Sequence, residues 1–350
     1  MQHDANAAGL RLPLLVTGVA GVAGYNAFRY FSARYPGQVI ATRRANNWPL
    51  QGPGIVGCDA DDGEQLARLF DRYQFRSVLN SEGSCALKSC ELDPAMANRV
   101  NVGSVKNLLA TIGRGDVRLV HLSIDLVFSG RGDGLHVEDD DTDPVTVYGQ
   151  TMVEAEQLIL AHRPDACVLR ISLPMGISFN GHAGAIDWIQ SRFKKSKPAT
   201  LYYDEVRSPT YTDCLNPLLE DVLQRDLAGL YHAGGPKHLS LYQIAQVVNR
   251  VGGYDPDLLI GCFRHEAGPM PPRAGNVTMR SEKLAAALGY EPFSPWPGCD
   301  EHLPTGPEWH YRRRADECGS PNLLASVLYR NPRRIEEFHK LPLGVPPFRG

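Results

Sequence analysis

The 350-residue chain predicts an α/β fold: a doubly wound parallel sheet with a smaller C-terminal lobe. Three observations carry that expectation. Between residues 10 and 175 short apolar runs alternate with longer amphipathic stretches, the pattern of βα units whose right-handed crossovers make neighbouring strands parallel. A glycine-rich turn, Thr17-Gly18-Val19-Ala20-Gly21-Val22-Ala23-Gly24, joins the first apolar run to the first amphipathic stretch. Past Leu173 the alternation yields to a loop marked by Pro174, Gly176, Gly181 and Gly184, which signals a second body.

In chain order, strands are expected over Leu14–Thr17, Val39–Thr42, Ser77–Asn80, Leu119–Ser123 and Cys167–Ile171. Helices are expected over Ala23–Arg34, Gly63–Tyr73, Pro94–Ile112 and Tyr148–His162. All strand C-termini then share one edge, where ligands bind in such sheets. Beyond the loop come a helix through Asp187–Phe193 with a basic Lys194-Lys195 end, a return strand near Leu230-Tyr231-His232, and a helix at Leu241–Val251. A short helix over Ser281–Leu288 ends at Gly289, as a C′ glycine does. The chain thus divides into a first domain over 10–175 with a return segment near 207–235, a second lobe over 176–206 and 236–295, and an irregular tail over 296–350. The tail is rich in Pro, Gly and Arg, holds one helix, at Asn322–Tyr329, and is read as wrapped on the body or on a partner.

With 43% hydrophobic and 21% charged residues the chain has enough apolar material for a large core plus a lobe. Its net charge of −3 provides no broad basic surface, so nucleic acid is not an expected partner. Eight cysteines without CxxC spacing suit neither a zinc knuckle nor a disulfide framework, and reduced thiols are expected. The acidic run Asp139–Asp143 lacks calcium-loop spacing and reads as a solvated loop, so no metal site is expected. The apolar run Leu12–Val22 is interrupted by Thr17, Gly18 and Gly21 and carries no cleavage pattern, so it reads as a strand entering a turn. No stretch approaches the roughly 20 apolar residues of a membrane span. A cytoplasmic protein without membrane contact, compatible with a homodimer, is the expectation.

The glycine turn is the first chemical signal. Glycines permit a tight bend and let the backbone approach a pyrophosphate, while the N–H groups and dipole of the following helix attract the anion. Thr17, Gly18, Val19, Ala20, Gly21, Val22 and Ala23 are therefore assigned to a dinucleotide in a Rossmann-type domain. The second strand runs into Arg43-Arg44, where selection of NAD would call for a carboxylate; two guanidinium forks suit a 2′-phosphate instead, which points to NADP(H). Asp59, after the third apolar run, either accepts from an adenine amino group or caps the next helix.

Further motifs follow. They are Asn80 at a strand end, Asn101 in Arg99-Val100-Asn101-Val102-Gly103, His121-Leu122-Ser123-Ile124-Asp125-Leu126-Val127-Phe128-Ser129-Gly130, Tyr148-Gly149-Gln150-Thr151-Met152, and Asp204-Glu205-Val206-Arg207-Ser208-Pro209-Thr210-Tyr211. With Gly229-Leu230-Tyr231-His232, Pro272-Arg273 and Ser281-Glu282-Lys283-Leu284, they resemble the dTDP-4-dehydrorhamnose reductases of the extended short-chain dehydrogenase/reductase superfamily, over roughly residues 13 to 295. The resemblance implies a two-lobed enzyme that reduces a 4-keto group on a nucleotide-linked 6-deoxysugar with NADPH. The methionine adenosyltransferase regulatory (beta) subunit is similar to the same family, which implies that the fold also serves as a binding partner.

In that superfamily a tyrosine gives its proton to the developing alkoxide, and Tyr148 matches it. A phenol near pKa 10 needs electrostatic help at neutral pH. The resemblance places a lysine four residues on, sharing the helix face, but this chain has Met152. It also places a Ser or Thr just before Asp125, where this chain has Ile124, and Ser123 points to the other face of the strand. The catalytic candidates are Tyr148, Ser123 and Asp125, with Asn80, Tyr148 and Met152 also lining the cofactor. Arg207, Thr210 and Arg273 are expected at the substrate, the two arginines facing its diphosphate. Replacement cations for the missing lysine are sought among Arg207, Arg273, Lys88 and His121. Three readings stand: an NADP(H)-dependent reductase, a catalytically silent NADP(H)-binding subunit, and a non-redox epimerase or lyase that retains its cofactor.

Overall fold

A computed structural model describes residues 9–113, 115–180, 184–268, 270–313 and 317–329. Strands β1 (Leu14–Val16), β2 (Val39–Arg43), β3 (Ile55–Gly57), β4 (Ser77–Asn80), β5 (Arg118–Ile124) and β6 (Cys167–Ile171) form one parallel sheet. The chain leaves it through β7 (Pro174–Met175), β8 (Ala199–Tyr202), β9 (Val206–Arg207) and β10 (Thr210–Tyr211), then returns as β11 (Gly229–Ala233), which pairs parallel to β6. The completed order is β11-β6-β5-β4-β1-β2-β3. The direction of winding reverses between β1 and β4, and crevices in such sheets open at that reversal. Leu14, Leu15, Val16, Val78 and Leu79 are buried on both faces, which is why these strands read as continuous apolar runs.

Helices α1 (Val22–Arg34), α2 (Gly63–Tyr73), α3 (Leu87–Leu92), α4 (Pro94–Asn98), α5 (Ser104–Ile112) and α6 (Val147–His162) flank the sheet. The single helix expected over Pro94–Ile112 is interrupted by a π-helical turn at Arg99–Gly103. Such turns widen the backbone spacing and aim a side chain out of register. Here the turn presents buried Asn101, whose Oδ1 accepts from the Ser84 N–H at 2.7 Å and whose Nδ2 donates to the Thr151 hydroxyl at 2.8 Å.

The second lobe is built on α7 (Ala185–Lys194) and α9 (Leu241–Val251), with α8 (Thr212–Gln224) lying against α1 below the sheet. Short strands β12 (Leu239–Ser240) and β13 (Leu259–Cys262) pair with β9 and β8. Helix α10 (Glu282–Leu288) ends at Gly289 with φ +83°, the expected left-handed cap. The tail wraps on the body, and the helix expected there forms within a residue of its bounds. Trp296 is fully buried, and α11 (Pro321–Leu328) adds Leu324, Val327 and Leu328 to the lobe's core beside Ile244, Val247 and Val248. Arg250 clamps Glu317 through two 2.6 Å hydrogen bonds, so residues 296–313 and 317–329 are a structural part of the lobe. Apolar area, not regular repetition, holds this segment. Gly181 and residues 330–350 lie outside the described residues. No described helix is long and apolar enough to cross a membrane.

Candidate active site at the sheet crevice

The turn after β1 has the geometry its glycines predict. Gly18 has φ +67°, and a Cβ there would sit 2.2 Å from the Ser81 carbonyl oxygen; one on Gly24 would sit 2.6 Å from the Gly18 oxygen. Both positions are closed to any side chain. Gly21 is the N-cap of α1 and supplies no side-chain oxygen, so the first N–H groups of this 13-residue helix are left for another acceptor. Thr17 donates to Asn80 Oδ1 at 2.6 Å and accepts from the Ser81 N–H at 3.1 Å. Asn80 Nδ2 in turn donates to His121 Nδ1 at 2.9 Å. Thr17, Asn80 and His121 therefore knit β1, β4 and β5 together beneath the turn.

The two arginines after β2 diverge. Arg43 donates to the carbonyls of Leu50, Arg44 and Ala45 at 2.7, 2.9 and 3.1 Å. Its own loop thus takes Nε and Nη1 and leaves Nη2 for the expected 2′-phosphate. Arg44 leans on Asp59 at 3.6 Å and Asp61 at 3.3 Å, but its buried Nη1 has no partner. An unpaired buried guanidinium donor suits an anionic oxygen, so the turn and Arg44 together fit a phosphorylated dinucleotide. Asp59 does not cap α2; Asp62 does, accepting from Glu64 and Gln65, while Asp59 accepts from the Ala45 N–H at 3.1 Å.

Tyr148 sits in the first turn of α6. Thr146 caps that helix by accepting from the Gly149 N–H at 3.0 Å, and a Cβ on Gly149 would sit 2.3 Å from the Leu126 oxygen, which seats the helix directly on the end of β5. The tyrosine is buried with Met152 among Cys90, Ala97, Leu126 and Val127, and Ile124 packs on the same cluster. Burial holds the phenol well above its ordinary pKa; Cys85 and Asp125 push the same way and Arg207 pulls against them. The phenol is a retained proton.

Several expected site residues are engaged elsewhere. The Arg207 Nε donates to Asp125 at 2.7 Å, Ser172 donates to the same carboxylate at 2.6 Å, and both members of the ion pair are buried. Burial opposes the Arg207 charge, but Asp125, aided by Glu205 and Tyr148, raises the pKa on balance. Arg207 is thus beside Tyr148 with its fork closed by Asp125, which corrects its assignment to a substrate diphosphate. Thr210 has no exposed surface and its hydroxyl has no partner, so its assignment to substrate is corrected too. The Ser123 hydroxyl donates to Glu156, which pairs with Arg170 at 2.7 Å behind the sheet; period-two alternation turns it away from Tyr148, so Ser123 is corrected from a catalytic to a structural residue. His121 is pushed down to about 4 by burial and is neutral, and Lys88 is exposed on α3.

Arg273 lies 3.6 Å from Glu205 and, with Asp204, Arg264, His265 and Pro272, lines an open cleft on the second lobe. Sequence reasoning missed Glu82, two residues past Asn80, which faces the glycine turn; its signal was a charged side chain immediately beyond a buried strand end. It also missed the buried Glu156–Arg170–His232 network, for which no local pattern exists.

Against known proteins, the chain is 29% identical over 246 residues to a dTDP-4-dehydrorhamnose reductase of Mycolicibacterium smegmatis, covering 68% of this chain and 72% of that protein. It is 23% identical over 296 residues to methionine adenosyltransferase 2 subunit beta of Danio rerio, covering 80% and 87%. A dTDP-4-dehydrorhamnose reductase of Bacillus anthracis, solved in complex with NADP, shares the fold at a TM-score of 0.70 and 17% identity, over 84% of this chain and 97% of that one. Residues 12–298 match the RmlD substrate binding domain, and with the crevice, the glycine turn and Tyr148 in their places the chain belongs to that family.

Proposed function

We propose that this protein is an NADP(H)-dependent oxidoreductase acting on a nucleotide-linked 4-keto-6-deoxysugar or a polar substrate of similar size, with Tyr148 as proton donor. The observation that carries the reading is the pairing of an uncapped helix N-terminus behind the Gly18–Gly24 turn with a protonated, buried phenol at the end of β5. The named relatives support it. Gly18, Gly21, Gly24 and the first N–H groups of α1 hold the pyrophosphate, and Arg44 Nη1 takes an oxygen of the 2′-phosphate. A bound nicotinamide would supply the hydride. The Tyr148 phenol gives its proton to the ketone oxygen as that oxygen gains charge, the resulting tyrosinate is eased by the neighbouring Arg207, and solvent restores the proton. Asp204, Arg264, His265 and Arg273 receive the nucleotide end of the substrate.

A second reading, a silent NADP(H)-binding subunit of a partner enzyme, is favoured by one feature: the positions for the helper lysine and hydroxyl hold Met152 and Ile124, packed as apolar core. Stopped-flow oxidation of NADPH with 4-keto sugar nucleotides separates the two. The oxidoreductase reading expects turnover that falls at least about 100-fold in Tyr148→Phe; a rate indifferent to that change removes Tyr148 from the chemistry. Tight NADPH binding with no oxidation supports the silent subunit.

A further inference from the structure

Glu82 is placed where a dinucleotide's phosphates would arrive. Its N–H donates to Asn80 at 3.3 Å, and Gly18 lies so close that a Cβ on it would meet the Glu82 nitrogen at 2.8 Å. Glu82 is only 8% exposed, and its carboxyl lies within electrostatic reach of Gly18, in the anion-binding turn. The groups facing it are Arg44 after β2 and Cys58, Asp59 and Asp61 after β3. Arg44 is the attractive one, and its charge is already shared with Asp59 and Asp61. A carboxyl of the chain itself therefore stands beside the turn at which a pyrophosphate is wanted, among other carboxylates.

We propose that Glu82 is a built-in competitor at the glycine turn, so that a dinucleotide binds with uptake of a proton onto Glu82 and binds less well as the pH rises. This rests on the dinucleotide reading above. Burial, opposed by Arg44 and Gly18 and reinforced by Asp61 and Asp59, raises the carboxyl to about 7. Two incoming phosphates raise it further. Below that pH the free protein already carries the proton and affinity is flat; above it each pH unit costs roughly tenfold in affinity, one proton's worth of linkage.

The test is titration calorimetry with NADP+ between pH 6 and 8.5, in buffers of different ionisation heat, on the wild type and Glu82→Gln. The comparison cancels the titration of the ligand's own 2′-phosphate. The proposal expects the wild type to take up about one proton more than the variant at pH 8, and the variant to bind roughly tenfold tighter there, the two converging near pH 6. Equal affinities and equal proton uptake at every pH overturn it while leaving the dinucleotide reading intact. No binding by either protein at any pH removes that reading, and this inference with it. Repeating the wild-type titration with NAD+, which lacks the 2′-phosphate, gives the Glu82 proton count directly, so the result does not hinge on the variant's fold.

Discussion

The Arg207 guanidinium closes on the Asp125 carboxylate, Nε to Oδ2 at 2.7 Å, with the two side chains 7% and 0% exposed. This pair ties β9 of the second lobe to the end of β5, beside Leu126, on whose carbonyl the helix that carries Tyr148 is seated. It joins the lobes by charge, and it places Arg207, a cation that acts on Tyr148, under the control of a carboxylate.

Breaking the pair strands a buried charge. Arg207→Met is expected to lower the free energy of unfolding by about 3–5 kcal/mol, and Asp125→Leu with Arg207→Leu to recover most of that loss. Urea unfolding of the three proteins checks it; a single variant as stable as wild type would show that the pair contributes nothing.

Restoring the missing partners of Tyr148 should raise turnover. With Met152→Lys and Ile124→Thr together, a lysine on the same helix face lowers the phenol's pKa and a hydroxyl reaches the substrate oxygen. A gain of about 10²–10⁴ in NADPH oxidation is expected for a decayed reductase site. Loss of whatever activity the wild type has would identify a site reshaped for other chemistry.

Acid should weaken the fold through His232. Its Nδ1 donates to the His136 carbonyl at 3.1 Å and its Nε2 accepts from Arg170 at 3.3 Å, so the neutral ring is fully used. Burial, then Arg170, push it down to about 3. A base with a depressed folded pKa takes up protons first in the unfolded chain, so its contribution is intact above pH 6.5 and is lost as pH falls from there toward 3. His232→Gln should flatten that part of the curve of urea midpoint against pH; a curve of unchanged slope would place the acid sensitivity elsewhere.

The tail should behave as core. Trp296→Ala empties a fully buried indole site and is expected to cost about 3–5 kcal/mol. Ending the chain after residue 295 removes Trp296, Leu324, Val327 and Leu328 from the lobe and should expose its apolar face, read as dye binding and loss of solubility. A truncated chain with an unchanged thermal midpoint would return the tail to the role of an appendage.

Strands β4 and β6 match the sequence expectation residue for residue, as do α2 and α9, because each carries its signal locally: continuous apolar runs between flanking helices, and an apolar stripe with a capping residue at its start. The glycine turn was equally legible, since Gly18 and Gly24 exclude a Cβ through contacts made within one βα unit and the strand beside it. Three features lacked such a signal. The π-helical turn at Arg99–Gly103 arises from the demands of Asn101 on Ser84 and Thr151, far apart in sequence. Helix α8 carries Pro217 in its interior, which local propensity reads as a break. Apart from its one helix the tail has no periodicity to read, and its order comes from contacts with a core formed some fifty residues earlier.

Residue type and spacing alone determined the parallel sheet, the glycine turn and the place of Tyr148 at the start of a helix, because those depend on backbone sterics and short-range pattern. Which arginine donors stay vacant, whether Asp125 faces substrate or Arg207, and what stands beside the turn were settled by packing. A buried charge takes the nearest partner that three dimensions offer, and Arg44, Arg207 and Glu82 found theirs across 15 to 82 positions of chain. Separation along a chain says nothing of distance in space, so the fold was written locally and the electrostatics of its site were not.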